Sequence, residues 1–257
     1  MREPMRRGDE IRRRTRLDTR LVELGLAPSR ARAQDLIRRG LVDVAGIVEL
    51  KPAAGVAVDD TIRLSPSAGD FVSRGALKLI PALDHFGFAA AGVVALDVGA
   101  STGGFTQVLL DRGAARVYAV DVGHGQLHTR IAGDPRVVSI EGQDARRLDR
   151  ALVPEPVGAI VADVSFISLT KVLPVPLALT AAGVWLVALI KPQFEAGRTS
   201  VGKGGIVRNP AARQRAVDIV RDWLSAQPGW RVQGVVPSPI AGGSGNEEFL
   251  LGATRDN

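Results

Sequence analysis

The stretch LDVGASTGGFTQVLL, residues 96–110, decides how most of the chain folds. It closes an apolar run at 93–98 on Asp97-Val98-Gly99, then passes through Gly103-Gly104 into Phe105 and a helical segment. A strand that stops on an acid, turns through glycines and enters a helix is the start of a strand–helix–strand unit. Four more apolar runs follow, at 117–120, 137–140, 159–162 and 184–190, each separated by helical segments. Near-continuous apolar strands are buried on both faces, which predicts a mostly parallel sheet wrapped by helices. Final strands are expected at 232–236 and 249–252. The fold class of this part is α/β.

Ligands of open α/β sheets bind at the carboxyl ends of the strands, near the point where the strand order reverses. The first strand carries Asp97 there, the second ends at Asp121 and the third is followed by Asp144. The fourth ends at Asp163 and the fifth at Lys191. One terminal Asp is explained as a helix cap, but charged residues at five successive strand ends are not. A dinucleotide fingerprint needs a glycine two positions after Gly99 so that backbone can approach a pyrophosphate. Ser101 stands there instead. S-adenosylmethionine has no phosphate, and its amino acid and ribose moieties call for backbone room and carboxylates. The expected cofactor-binding residues are therefore Asp97, Gly99, Ser101, Gly103, Gly104, Phe105, Asp121, Asp144 and Asp163. Asp121 is assigned to the ribose hydroxyls and Asp144 to the adenine amino group.

The net charge of +6 is unevenly placed. Residues 1–40 hold 12 Arg and Lys against 6 Asp and Glu, while the rest of the chain balances at 21 and 21. A basic patch on a neutral body suits a polyanionic partner. After a flexible basic arm at 1–14, Leu17, Leu21, Val22 and Leu24 recur at helical spacing up to Gly25. Ser29 then caps a second helix with Ala33, Leu36 and Ile37 on its inner face and Gly40 at its end. Short strands are expected at 41–44, 47–50 and 61–64, before a Ser-Pro-Ser-Ala-Gly-Asp linker. The pattern SR-x-x-A-x-x-L-I-x-x-G-x-V at 29–42 resembles the S4 RNA-binding domain, an α+β unit. The resemblance implies that Arg16, Arg20, Arg30, Arg32, Arg38 and Arg39 meet structured RNA.

Only five of the 33 basic residues are lysine, so Lys191 at a core strand end is a choice rather than a default. Further motifs are VSRGALKL (72–79), AVDVGHGQL (119–127), VADVSFISL (161–169), LIKPQFEAG (189–197), GGIVRNP (204–210) and GNEEFL (245–250). With the glycine loop, they resemble the TlyA-type ribosomal RNA 2'-O-methyltransferases, a family also known as haemolysins. The similarity runs over residues 15–252. It implies a Rossmann-like class I S-adenosylmethionine-dependent methyltransferase domain, of the FtsJ/RrmJ kind, preceded by a small S4 domain. It also implies a catalytic Lys-Asp-Lys-Glu tetrad at Lys78, Asp163, Lys191 and Glu248, with Glu248 preferred to Glu247 by the G-N-x-E pattern. The linker departs from the family: Gly69-Asp70-Phe71-Val72 keeps the aromatic and replaces the usual basic residue by an acid.

The expected domains are the S4 unit at 15–65, a linker at 66–72 and the methyltransferase domain at 73–257. Expected partners are ribosomal RNA or ribosomal subunits, probed by a cytoplasmic monomer. With no cysteine and three scattered histidines, no metal site is expected. No 18-residue apolar stretch exists to span a membrane, which argues against a pore-forming haemolysin. A catalytically silent ribosome assembly factor is the alternative, and it would be expected to have lost a tetrad residue.

Overall fold

A computed structural model of the chain describes residues 14–38, 40–64, 71–242 and 245–256, in two units that divide after Arg74. Arg39, residues 1–13 of the expected arm and 66–70 of the expected linker lie outside the described residues.

In the first unit, β1 (Thr15–Arg16) runs into α1 (Leu17–Glu23), and α2 (Arg30–Arg38) follows. Leu17 and Leu21 on one helix and Ala33, Leu36 and Ile37 on the other form the inner faces of a small core that also takes Leu41, Val42 and Val56. The Ser29 hydroxyl accepts from Arg32 N–H at 3.3 Å, and Gly40 leaves α2 at φ 68°, which a β-carbon disfavours. β2 (Val42–Val44) pairs antiparallel with β3 (Ile47–Val48). After β4 (Gly55–Val56), β5 (Ile62–Leu64) joins the other edge of β2. β4 pairs instead with β1, a ladder the sequence reading did not include. Two-residue strands are too short to show an alternating pattern.

The second unit begins with α3 (Ala76–Phe86), followed by β6 (Val94–Val98), α4 (Gly104–Asp111), β7 (Arg116–Asp121), α5 (Thr129–Ala132) and β8 (Val137–Glu141). Then come β9 (Val157–Ala162), α6 (Leu169–Val172), α7 (Pro174–Ala178), β10 (Thr180–Ile190) and α8 (Pro192–Glu195). The chain ends with α9 (Pro210–Ser225), β11 (Trp230–Pro237) and β12 (Phe249–Arg255). One seven-stranded sheet results, in the order β11-β12-β10-β9-β6-β7-β8. The strands from β8 to β10 are parallel, and β12 lies antiparallel between β10 and β11.

Leu96, Ile160, Leu186 and Leu251 on neighbouring strands are fully buried, as expected of strands covered on both sides. The chain winds outward from β6 to β8, then returns to place β9 on the other side of β6. That reversal opens a crevice at the carboxyl ends of β6 and β9. α3 is seated on the antiparallel part of the sheet through Phe86: a β-carbon on Gly252 of β12 would lie 2.6 Å from its ring. The packing of Phe86 on Gly252 thus helps to fix the helix that carries Lys78.

Candidate active site

The glycine loop after β6 is drawn tightly over the sheet edge. Gly99 has φ 84°, and a β-carbon there would come 2.6 Å from the Asp163 carbonyl oxygen. The N–H groups of Gly99 and Ala100 both donate to the Val120 carbonyl. Beyond them Asp121 accepts from Ser101 N–H and from Gly123 N–H, each at 2.8 Å. These bonds hold its carboxylate at the mouth of a cavity of about 430 Å³. Val98, Val120, Val122 and Ile167 supply apolar wall, and Gly99, Ser101, Asp121, Asp144 and Asp163 also line it. Gln126, Gln143 and Arg146 are polar lining residues that the sequence reading did not assign.

The other four expected cofactor residues do not line this cavity. Gly103 turns at φ 92° to start α4, and a β-carbon on it would meet Leu127 at 2.9 Å. Gly104 and Phe105 are buried in the first turn of α4. Asp97 is fully buried, with Oδ2 accepting from the Thr106 hydroxyl at 2.6 Å and Oδ1 left without a hydrogen-bond partner. Burial, reinforced by the nearby charges of Asp163 and Asp121, pushes its carboxyl up to about 7. These residues shape the loop from beneath. Asp144 is also more engaged than expected: its carboxylate takes Arg146 through Nε and Nη2, and that hydrogen bonding holds it below the usual carboxylate range.

Glu141 holds the turn that carries Gln126, one of the lining residues. It accepts from the backbone N–H groups of Gly125, Gln126 and Leu127 at 2.8, 2.9 and 3.1 Å, which lowers its pKa. An apolar slot faced by carboxylates from successive strand ends suits a nucleoside joined to a positively charged chain. It suits a pyrophosphate poorly, because the one arginine in its wall is already bound to Asp144.

A second cavity of about 300 Å³ adjoins the first, and Ser165 and Phe166 line both. Lys191 and Glu248 line it too, together with Gln193 and Phe194. The Lys191 ammonium lies 2.6 Å from Asp163 Oδ1 and donates to Ser165 Oγ at 2.9 Å. Lys78, buried on α3, donates to Glu248 Oε2 at 2.6 Å. The four expected catalytic residues therefore form two ion pairs. Asn246 pins the segment before Glu248: its amide donates to the Gly205 carbonyl and accepts from Val207 N–H, both at 2.9 Å. Glu247 turns the other way, to Arg213.

The loop after β9 is held under tension. Phe166 has φ 67°, in the left-handed region unfavourable to a bulky side chain, and is 91% exposed. Its ring meets Phe194 at a centroid distance of 5.2 Å. Glu195 clamps the loop from β10's side, accepting from the Ser168 hydroxyl at 2.5 Å and from Leu169 N–H at 2.8 Å. Ser165 and Phe166 lie within the motif VADVSFISL, but no role was expected of either from the sequence. Proximity to Asp163 was the available signal; the positive φ leaves no trace in composition.

In the first unit the expected RNA-facing arginines are already structured by neighbours. Arg16 and Arg30 both donate to Asp18, which is buried and also takes Gln34. Arg20 donates to Glu23 and to the Val58 carbonyl. Arg32 pairs with Asp35, and Arg38 donates to Gln34.

Comparison with known proteins agrees with this architecture. The FtsJ-like methyltransferase family matches residues 71–255 and the S4 domain family matches residues 15–62. The 16S/23S rRNA (cytidine-2'-O)-methyltransferase TlyA of Mycobacterium tuberculosis is 48% identical over 242 residues, covering 93% of this chain and 89% of its own. Hemolysin A of Brachyspira hyodysenteriae is 41% identical, covering 91% of this chain and 98% of its own. A solved structure of a candidate hemolysin from Streptococcus thermophilus superposes with a TM-score of 0.72 at 37% identity, over 95% of this chain and 89% of that one. Among the described residues, no helix is long and apolar enough to cross a membrane.

Proposed function

The chain belongs to the FtsJ-like methyltransferase family, and we propose that it transfers a methyl group from S-adenosylmethionine to the ribose 2'-hydroxyl of a cytidine in ribosomal RNA. The observation that carries this reading is the placement of the Lys191–Asp163 pair where the two cavities meet. When bound, S-adenosylmethionine supplies an electrophilic methyl group on a sulfonium. Asp121, Asp144 and the loop at Gly99–Ser101 would hold it in the larger cavity, with Asp97 and the start of α4 supporting that loop from below.

The difficulty left for the protein is the nucleophile, because a ribose hydroxyl is only weakly acidic. Lys191, fixed by Asp163, faces the 2'-oxygen and stabilises the negative charge that develops there. In its neutral amine form the same side chain can instead accept the hydroxyl proton and release it to solvent after transfer, a secondary role. Lys78 pairs with Glu248 and orients its carboxylate, which lines the smaller cavity together with Lys191. Holding the oxygen in line with the methyl group contributes by removing orientational freedom before the reaction. The S4 unit binds structured RNA by shape and backbone, leaving the second unit to meet one extruded nucleotide. The protein acts as a monomer in the cytoplasm in this reading.

The test is transfer of tritiated methyl from S-adenosylmethionine to purified small and large ribosomal subunits lacking the modification. Label in RNA, mapped by reverse-transcription stops at limiting nucleotide, supports a ribose methyltransferase and identifies subunit and position. Measurable cofactor binding with no label on either subunit would overturn the reading.

A further inference from the structure

We infer that Ser165 is a positioning residue for Lys191, setting the direction in which the lysine presents its free N–H to the substrate oxygen. An ammonium on a four-carbon stem has three donors and many rotamers, so one carboxylate neighbour does not fix its direction. Here Lys191 has two neighbours: Asp163 Oδ1 at 2.6 Å and Ser165 Oγ at 2.9 Å. The ion pair with Asp163 sets the place of the ammonium without directing it, since Oδ1 has no hydrogen-bond partner, and the bond to Ser165 Oγ is the directional contact that orients the remaining N–H groups. Ser165 and Phe166 are shared by the two cavities, so the constraint acts where donor and acceptor have to meet.

The position of Ser165 is itself fixed from both sides. Before it, Asp163 N–H donates to the Val98 carbonyl at 3.0 Å. After it comes the left-handed turn at Phe166, then the clamp of Glu195 on Ser168 and Leu169. A loop that holds such a turn against its local preference keeps one geometry because its surroundings impose it. Ser165 is solvent-exposed, so replacing it disturbs no core. This inference rests on the methyltransferase reading, and its test is arranged so that the two fail separately.

The experiment compares wild type, Ser165→Ala and Ser165→Thr in methyl transfer to ribosomal subunits, with cofactor affinity by calorimetry and melting temperature measured alongside. Ser165→Ala is expected to lower kcat about 10-fold, the scale of one lost orienting hydrogen bond. KM for the subunit, cofactor Kd and melting temperature should stay within twofold or a degree or so, and Ser165→Thr should restore most of the rate. In a Lys191→Arg background with measurable residual activity, Ser165→Ala should have little further effect, since the lysine it positions is gone. Unchanged kcat in Ser165→Ala, or equal losses with and without Lys191, overturns the inference. If wild type itself transfers no methyl, it is the underlying reading that has failed.

Discussion

Lys78 and Glu248 stand 170 residues apart in sequence and form a 2.6 Å ion pair that solvent hardly reaches. Removing one member leaves the other charged and buried, at a cost of about 3 kcal/mol or more. Lys78→Ala and Glu248→Ala are each expected to lower the melting temperature by several degrees and to abolish methyl transfer. Lys78→Met combined with Glu248→Leu, which removes both charges and keeps the volume, should recover most of the stability and none of the activity. Recovery of activity in the double variant would reduce the pair to a structural element.

The Lys191–Asp163 pair predicts a different pattern. Lys191 lines the smaller cavity and not the larger one. Lys191→Ala should therefore abolish turnover while leaving cofactor affinity within a few-fold, read by calorimetry on the same preparation. Asp163 lines the larger cavity, so Asp163→Ala should weaken cofactor binding as well as turnover. Equal loss of cofactor binding in both variants would count against a separate role for the lysine.

Much of this arrangement was legible in the sequence because it follows from periodicity and strand ends. Apolar runs marked five parallel strands, and charged residues just beyond them marked one edge. The mixed edge formed by β11 and β12 followed the same signal. Less was legible where function depends on the direction of backbone or side chains. Asp97 looked like a ligand-facing acid, yet strand alternation turns it into the core while its neighbour Val98 faces the cavity. Asp144 was read without Arg146, two residues on, which occupies its carboxylate. Ser165 gained its meaning only when β9 and β10 came together and put Lys191 beside it.

Burial of Asp97 makes a prediction about pH. Its folded-state pKa, pushed up to about 7, lies above that of an exposed carboxyl. Between those values the folded chain binds more protons than the unfolded chain, so stability falls as pH rises through that window. Asp97→Asn keeps an acceptor for the Thr106 hydroxyl and removes the titration. Relative to wild type, this variant should gain in melting temperature on going from pH 5 to pH 8.5. A wild-type minus variant difference that is flat with pH would exclude Asp97 as the source.

In the first unit, Asp18 separates stability from RNA affinity. It is fully buried and accepts from Arg16, Arg30 and Gln34, and these bonds, that to Arg16 foremost, hold its carboxyl well below the usual range. Its stabilisation is therefore present at neutral pH and lost as pH falls below that range. Asp18→Ala should unfold the helical pair, seen as loss of protection from hydrogen exchange across residues 17–38. Arg30→Ala leaves Arg16 and Gln34 on the carboxylate, so the unit should stay folded with one exposed cation fewer. If Arg30 meets a phosphate, affinity for ribosomal RNA should drop for every sequence tested, and the slope of log K against log salt should shrink by about one. An unchanged slope with weaker binding would instead mean that Arg30 acts by holding Asp18, and that the cations meeting RNA lie elsewhere on the helix.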